Sequence, residues 1–271
     1  MKQRTNLIHQ KRKAGEAALG VNVQTASPEN IEMAGAAGYD FVLIDCEHGT
    51  IYLDKLVELL RAADASGITP IVRVPDHSPS FIMRALDAGA MGVAIPNVNT
   101  RAQAEAAVSA AKYNSKQYGP QPFGTRGACP STRANWHLVG SWPEFTRWSN
   151  DETMVWLLIE SLEGIGNIDA ILEVPGISAI VPGPFDLSQA MGHAGDMRHP
   201  DVVKALRTLT TKARAKGVDT VAVLLSNDAA GMKEEMAFWK DLDTTIFWAG
   251  GDRRMFTLAL RNRMAQVREN L

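Results

Sequence analysis

Eight short apolar runs, each separated from the next by a stretch of helical period, set the tightest limit on how this chain can fold. The runs are ALGVNV, YDFVLIDCE, ITPIVRVP, GVAIP, TMVWLLIES, ISAIVPGP, DTVAVLLS and TTIFWAG. Around them lie PENIEMAGAAG, LDKLVELLRAADASG, PSFIMRALDAG, TRAQAEAAVSAAK, NIDAILEV, DVVKALRTLTTKARAKG, AAGMKEEMAFWKDL and a closing segment over 253–271. Strands that are apolar on both faces belong to parallel sheets covered by helices. Helix ends are marked: Pro28 and Pro79 follow Ser27 and Ser78, and Gly38, Gly67 and Gly217 follow the last turns. Eight such units in 271 residues predict one domain over 1–271, a TIM (β/α)8 barrel. The alternative, an open doubly wound sheet, would more often show a Gly-rich phosphate turn after its first strand. Here GIGNID comes only at 164–169 and lacks the G-x-G-x-x-G spacing.

Charge and cysteine content narrow the function classes. The 28 basic and 30 acidic residues are scattered and leave a formal charge of −2, so no nucleic-acid footprint is expected. Cys46 and Cys129 make neither a disulfide framework nor a zinc spacing, which fits a reducing compartment. The basic N-terminal segment lacks the apolar core of a signal peptide, and no run is long enough for a membrane span, so a cytoplasmic protein is expected. Residues 113–137, rich in Gly, Pro and polar side chains, are too long for an ordinary connector.

In a barrel, chemistry gathers where strands run out at their C-terminal ends. Strand two ends in Asp45, Glu47 and His48, strand three in Arg73, strand four in Asn97, strand five in Glu160, and strand six leads to Asp186. Glu160 and Asp186 form a candidate oxygen ligand pair for a hard divalent ion, which would polarise a substrate carbonyl and stabilise a developing enolate. Arg73 offers a two-pronged donor for a carboxylate or phosphate, so the implied ligand is a 2-oxo acid. His48 is the candidate general base. Each has a plainer reading: Asp186 as a helix N-cap, Arg73 as an ordinary ion pair, His48 as a structural hydrogen-bonding group. The convergence of all of them on successive strand ends favours a site. Every lysine falls in a segment read as helix, cap or loop, which disfavours a Schiff-base route.

LIDCEHG, VRVP and LLIESLEGIGNIDAILEVPGISAIVPGPFDLSQAMG together resemble the HpcH/HpaI aldolase family, the metal-dependent class II pyruvate aldolases that include 4-hydroxy-2-oxoheptanedioate aldolases. The resemblance implies a phosphoenolpyruvate/pyruvate-type barrel with Glu160 and Asp186 as ligands of Mg2+, Mn2+ or Co2+, and Arg73 at the pyruvate carboxylate. It implies that His48 pairs with Asp87 of an adjacent subunit, that backbone amides near Gly183 and Pro184 border the pyruvate, and that Asp45 and Glu47 order bound water. It further implies a homohexamer, a trimer of dimers that exchange their last helix, making 253–271 an oligomerisation element. Leu158 stands where the family often has Gln, and Phe185 where well-known aldolases have a small residue, which suggests a more apolar or narrower acceptor pocket.

The expected activity is reversible cleavage of a 4-hydroxy-2-oxo acid to pyruvate and an aldehyde, with small-molecule partners and neither nucleic acid nor membrane. The competing readings are a related lyase or condensing enzyme acting on oxaloacetate or a CoA thioester, and a barrel that binds a 2-oxo acid without turning it over.

Overall fold

The eight expected runs form eight parallel strands that pair in sequence order and close on themselves. In the computed structural model, which describes residues 4–116, 123–137 and 140–271, the strands are β1 (Ala18–Val23), β2 (Phe41–Asp45), β3 (Thr69–Arg73), β4 (Gly92–Ile95), β5 (Met154–Ile159), β6 (Ala179–Pro182), β7 (Asp219–Leu224) and β8 (Ile246–Gly251). The helices are α1 (Leu7–Ala14), α2 (Pro28–Ala36), α3 (Leu53–Ser66), α4 (Pro79–Ala88), α5 (Arg101–Ala111), α6 (Trp142–Glu152), α7 (Leu162–Gly166), α8 (Ile168–Leu172), α9 (Pro184–Ala190), α10 (Pro200–Ala215), α11 (Ala229–Asp241) and α12 (Asp252–Glu269). This is the (β/α)8 barrel that the alternation predicts.

Strand residues two apart share a face, and that period sorts the core into two sets. Phe41, Leu43, Ile71, Ala94, Trp156, Leu158, Val181 and Val223 form one buried cluster inside the barrel. Val42, Ile44, Val72, Val93, Val155 and Leu157 belong to the cluster that also contains the buried faces of the helices. Gly20 is required by this packing, because a Cβ there would lie 2.2 Å from the Phe41 ring. Phe41 in turn meets Trp156 edge-on at 5.5 Å. Truncating either ring to Ala would cost about 3–5 kcal/mol, since the filled interior has nothing to replace it.

Four helices, α1, α6, α7 and α9, fall outside the segments that the sequence reads as helical. Helix α1 closes the N-terminal end of the barrel: Ile8 is fully buried in the inner cluster, and Asn6 caps the helix by accepting from the backbone N–H of Ile8 at 3.0 Å. A single buried apolar side chain in LIHQKRKA gives no helical stripe to read. Helix α6 packs a short aromatic stripe, with Phe145 buried and Trp142 and Trp148 half-buried in the same cluster. Helix α7 is a five-residue turn, and helix α9 begins on Pro184, the last residue of the strand-six run, and carries Asp186 in its first turn.

The 113–137 segment, as far as it is described, lies along the base of the barrel and not over its mouth. Thr125 and Arg126 donate backbone N–H groups to Ser109 and Lys112 at the end of α5. Arg133 donates to the Ala88 carbonyl at 3.0 Å and pairs with Asp64, which Arg4 also reaches at 3.3 Å. Helix α12 has no buried residue, and Met255, Phe256, Leu260, Met264 and Val267 are exposed along it. No helix among the described residues is long and apolar enough to cross a membrane.

Candidate active site

The inward-facing parity of the strands carries a polar layer to the mouth. Two residues beyond Leu43, Ile71, Leu158 and Val181 come Asp45, Arg73, Glu160 and Gly183. The apolar core therefore stops one layer below the functional groups.

Asp45 is the hub of that layer. It is fully buried and sits opposite Arg73 in the β2–β3 register. Arg73 donates from Nε to Asp45 Oδ1 at 2.9 Å and from Nη2 to Oδ2. Asp45 also accepts from Gln24 Nε2 at 3.0 Å, from Asn22 Nδ2 at 3.4 Å, and from the backbone N–H groups of Glu47 and His48, both at 3.1 Å. Burial alone would raise the carboxyl's pKa, but the Arg73 guanidinium and these donors outweigh it and hold it below the usual aspartate range. The two-pronged side of Arg73, expected to grip an incoming carboxylate, is thus taken by Asp45. Its remaining Nη1 lies 3.2 Å from Glu47 Oε2, and the guanidinium sits 5.5 Å from the Trp248 ring centre.

Across the mouth, three carboxylates outnumber the cationic charge. Burial pushes Glu160 up to about 7, opposed by the Asn97 backbone N–H, which donates to Oε1 at 2.8 Å, and reinforced by the negative charges of Asp186 and Glu47. Asn97 holds a left-handed conformation at φ 50° to aim that N–H, a region Asn tolerates better than most residues. Glu47 is also pushed up, by burial and by Asp45 and Asp186 against the pull of Arg73 and His48. A Cβ on Gly183 would come within 3.1 Å of Glu160 Oε2 and 3.7 Å of Asp186 Oδ2, so both carboxylates reach one small space that glycine leaves open. Glu160 is buried and Asp186 exposed at the rim, and mutually repelling carboxylate oxygens around an open space are a donor set that fits a hard divalent cation.

Asp186 is in the first turn of α9, whose N-cap is Gly183, so the N-cap reading of Asp186 does not hold. Of the amides expected near Gly183 and Pro184, neither of these two residues itself offers a free one. Gly183 N donates to the Ile159 carbonyl at 3.3 Å, and proline has no N–H. The first-turn donors left over are those of Phe185 and Asp186, which have no intrahelical partner. Phe185 is 56% exposed at the rim, whereas Leu158 is 2% exposed beneath Glu160.

His48 and Asp87 are not brought together within the chain. The His48 side chain is 65% exposed, with Nε2 3.8 Å from Glu47 Oε2. Asp87 is in the last turn of α4, at the base of the barrel, where it accepts from Arg126 Nη2 at 2.7 Å. Elsewhere, His193, His199 and Asp201 gather possible ligand atoms within 4.8 Å. The two imidazoles are stacked with ring centres 3.4 Å apart, and His199 Nδ1 accepts from Asp201 N at 3.3 Å.

The sequence profile of the HpcH/HpaI aldolase/citrate lyase family matches residues 19–246, the whole span from β1 into β8. The chain belongs to this family. It is therefore an enzyme of a lyase and aldolase lineage, as the strand-end residues led us to expect. The chain is 37% identical over 206 residues to a 2-dehydro-3,6-dideoxy-6-sulfogluconate aldolase of Pseudomonas putida, covering 76% of this chain and 77% of that one. It is 36% identical over 204 residues to a 5-keto-4-deoxy-D-glucarate aldolase of Escherichia coli, covering 75% and 76%. Among solved structures, the citrate synthase SbnG superposes with a TM-score of 0.84 at 31% identity, over 96% of this chain and 97% of that one. Gln24, Asn97 and Trp248 shape this HpcH/HpaI-type mouth but escaped the residue inventory or were given no role in it. A Gln or Trp at a strand end carries no catalytic signal until its neighbours are known.

Proposed function

We propose that the protein is a divalent-metal-dependent aldolase that cleaves a 4-hydroxy-2-oxo acid to pyruvate and an aldehyde and runs the synthesis in reverse. The observation that carries this reading is the set of carboxylates, Glu160 buried, Asp186 exposed at the rim and Glu47 half-buried beside them, around the space left by Gly183. Mg2+, Mn2+ or Co2+ held by Glu160 and Asp186 would supply Lewis acidity to the 2-oxo group. Arg73, through Nη1 and its charge, holds the substrate carboxylate, while Asp45 keeps the guanidinium in place. His48 accepts the proton of the C4 hydroxyl as the C3–C4 bond breaks, the C4–O bond becomes the aldehyde carbonyl, and the electron pair left on C3 is delocalised onto the 2-oxo oxygen. A proton returned to C3 completes pyruvate. Leu158 and Phe185 border the aldehyde end and favour a less hydroxylated acceptor.

The oligomer belongs to the same proposal. The apolar stripe of α12 suits a second copy of the chain, in a hexamer built as a trimer of dimers, and Asp87 of the partner subunit would then stand beside His48. A cytoplasmic setting is part of this reading.

Release of pyruvate from a panel of 4-hydroxy-2-oxo acids, with each metal and with chelator, tests it. Activity should vanish on chelation and in Glu160→Gln and Asp186→Asn. A metal-loaded protein that neither cleaves any such acid nor exchanges the methyl protons of pyruvate overturns it. The similarity to a citrate synthase favours one second reading, condensation or cleavage of oxaloacetate or a CoA thioester at the same site. Turnover of those substrates, in place of aldol cleavage, would select it.

A further inference from the structure

We propose that Arg253, in the first turn of α12, is a positioning residue for His48, so that the C-terminal helix sets the geometry of proton transfer. This rests on the reading of His48 as the proton acceptor.

The His48 side chain is 65% exposed, and its one polar contact among the described residues is the 3.8 Å approach to Glu47, so its place is set through its main chain. One side of that loop is held from below. Asp45 Oδ1 accepts from the N–H groups of Glu47 and His48, and the chain folds back so tightly that a Cβ on Gly49 would lie 2.0 Å from the Asp45 carbonyl oxygen. The other side is held from α12. Arg253 Nη2 donates to the Gln24 carbonyl at 2.9 Å and to Thr50 Oγ1 at 3.1 Å, and Nη1 lies 3.5 Å from the His48 carbonyl. Thr50 N donates to the same Gln24 carbonyl at 3.2 Å.

Gln24 is itself a fixed point. The Asp252 carboxylate accepts from Gln24 N, Thr25 N and Asn30 Nδ2, each at 3.0 Å, and the Gln24 side chain donates to Asp45 at 3.0 Å. A planar guanidinium spanning three acceptors on two loops does what a lysine ammonium cannot, because its donors are fixed relative to one another. No residue of α12 is fully buried, and the helix is tied to the barrel at its first turn, by Asp252 and Arg253 on the Gln24 and His48 loops and by Arg254 on Asn227 at 2.8 Å, so whatever packs on its apolar stripe acts on the His48 loop through that turn.

Arg253 is exposed, so its bonds contribute little to global stability, whereas a displacement of the order of an ångström at a reacting group can cost about 100-fold in rate. The test is a double-mutant cycle on full-length, metal-loaded enzyme, following aldol cleavage and pyruvate methyl-proton exchange across pH. Arg253→Ala should lower kcat by about 10- to 100-fold with KM changed less than about threefold, with Arg253→Lys recovering only part of the loss. In a His48→Asn background the same substitution should cost less than about threefold. An equal loss in both backgrounds, or no loss in the wild type, overturns the inference. If Arg253→Ala does not fold, Thr50→Val removes one of the same bonds and carries the same cycle. Should the wild type show neither activity, the aldolase reading has failed, and turnover of oxaloacetate or a CoA thioester then carries the cycle, with the same outcomes deciding it.

Discussion

Arg73 and Asp45 face each other across neighbouring strands and join at two points, Nε to Oδ1 at 2.9 Å and Nη2 to Oδ2, in a layer where Asp45 has no exposure to solvent. The pair shows how the mouth is built: Asp45, with Glu47 at 3.2 Å from Nη1, takes up the arginine, so that Glu160 and Asp186 stay open to a cation. A buried pair is costly to break from one side, because the remaining charge keeps its desolvation penalty.

Asp45→Ala should therefore damage both stability and activity. The expected loss is about 3–5 kcal/mol of folding stability, read from denaturant melts, with kcat/KM down at least about 100-fold. Asp45→Asn, which keeps an acceptor for Arg73 and for the His48 loop, should recover much of the stability. Equal stability of the Ala variant and wild type would show that the pair is not held as described.

Leu158 lies in the inner face one layer below Glu160, and its side chain closes the mouth with hydrocarbon. Leu158→Gln should shift kcat/KM toward hydroxylated aldehydes by about tenfold relative to apolar ones, at about 1–3 kcal/mol of stability for the buried amide. The ratio of acceptor efficiencies measured in the synthetic direction checks this. An unchanged ratio would place the acceptor elsewhere.

The two cysteines should differ in reactivity. Burial, with the negative charge of Asp45 adjacent, pushes the Cys46 thiol up to about 12, whereas Cys129 is exposed. Iodoacetamide at pH 8 should label Cys129 alone in the folded protein and both residues after denaturation, read by peptide mass spectrometry. Native labelling of Cys46 would contradict its burial.

Stability should fall in acid partly through His9. Burial, aided by the positive charges of Arg12, Lys112 and Lys13, pushes its imidazole down to about 4 from an ordinary 6.5. Between those values the unfolded chain binds a proton that the folded one refuses, so stability present above pH 6.5 is lost as pH falls toward 4. The melting temperature of wild type should drop more steeply over this interval than that of His9→Gln. Parallel curves would show that His9 is not the group responsible.

Much of the fold and half of the mouth were legible before any coordinates. Strand period alone places Asp45, Arg73 and Glu160 on one face beyond a continuous apolar run, and eight repeats of the same unit leave a barrel as the economical closure. Helix α1 was not legible, because it buries one apolar side chain and writes no stripe into the sequence, and α7 and α9 are too short to show a period. The partnerships were not legible either. Nothing near Gln24 in the chain announces that it joins Asp252 and Arg253, more than two hundred residues later, to the loop that carries His48.

The sequence by itself determined which residues face inward, because a two-residue period is a local property of the strand and survives any tertiary arrangement. Tertiary structure alone decided the state of those residues. It gave the fork of Arg73 to Asp45, lifted Glu160 to about 7, left His48 in solvent and put Asp87 at the opposite end of the barrel on Arg126. Charge, burial and hydrogen-bond partners depend on distances through space, and those exist only once β8 has closed onto β1.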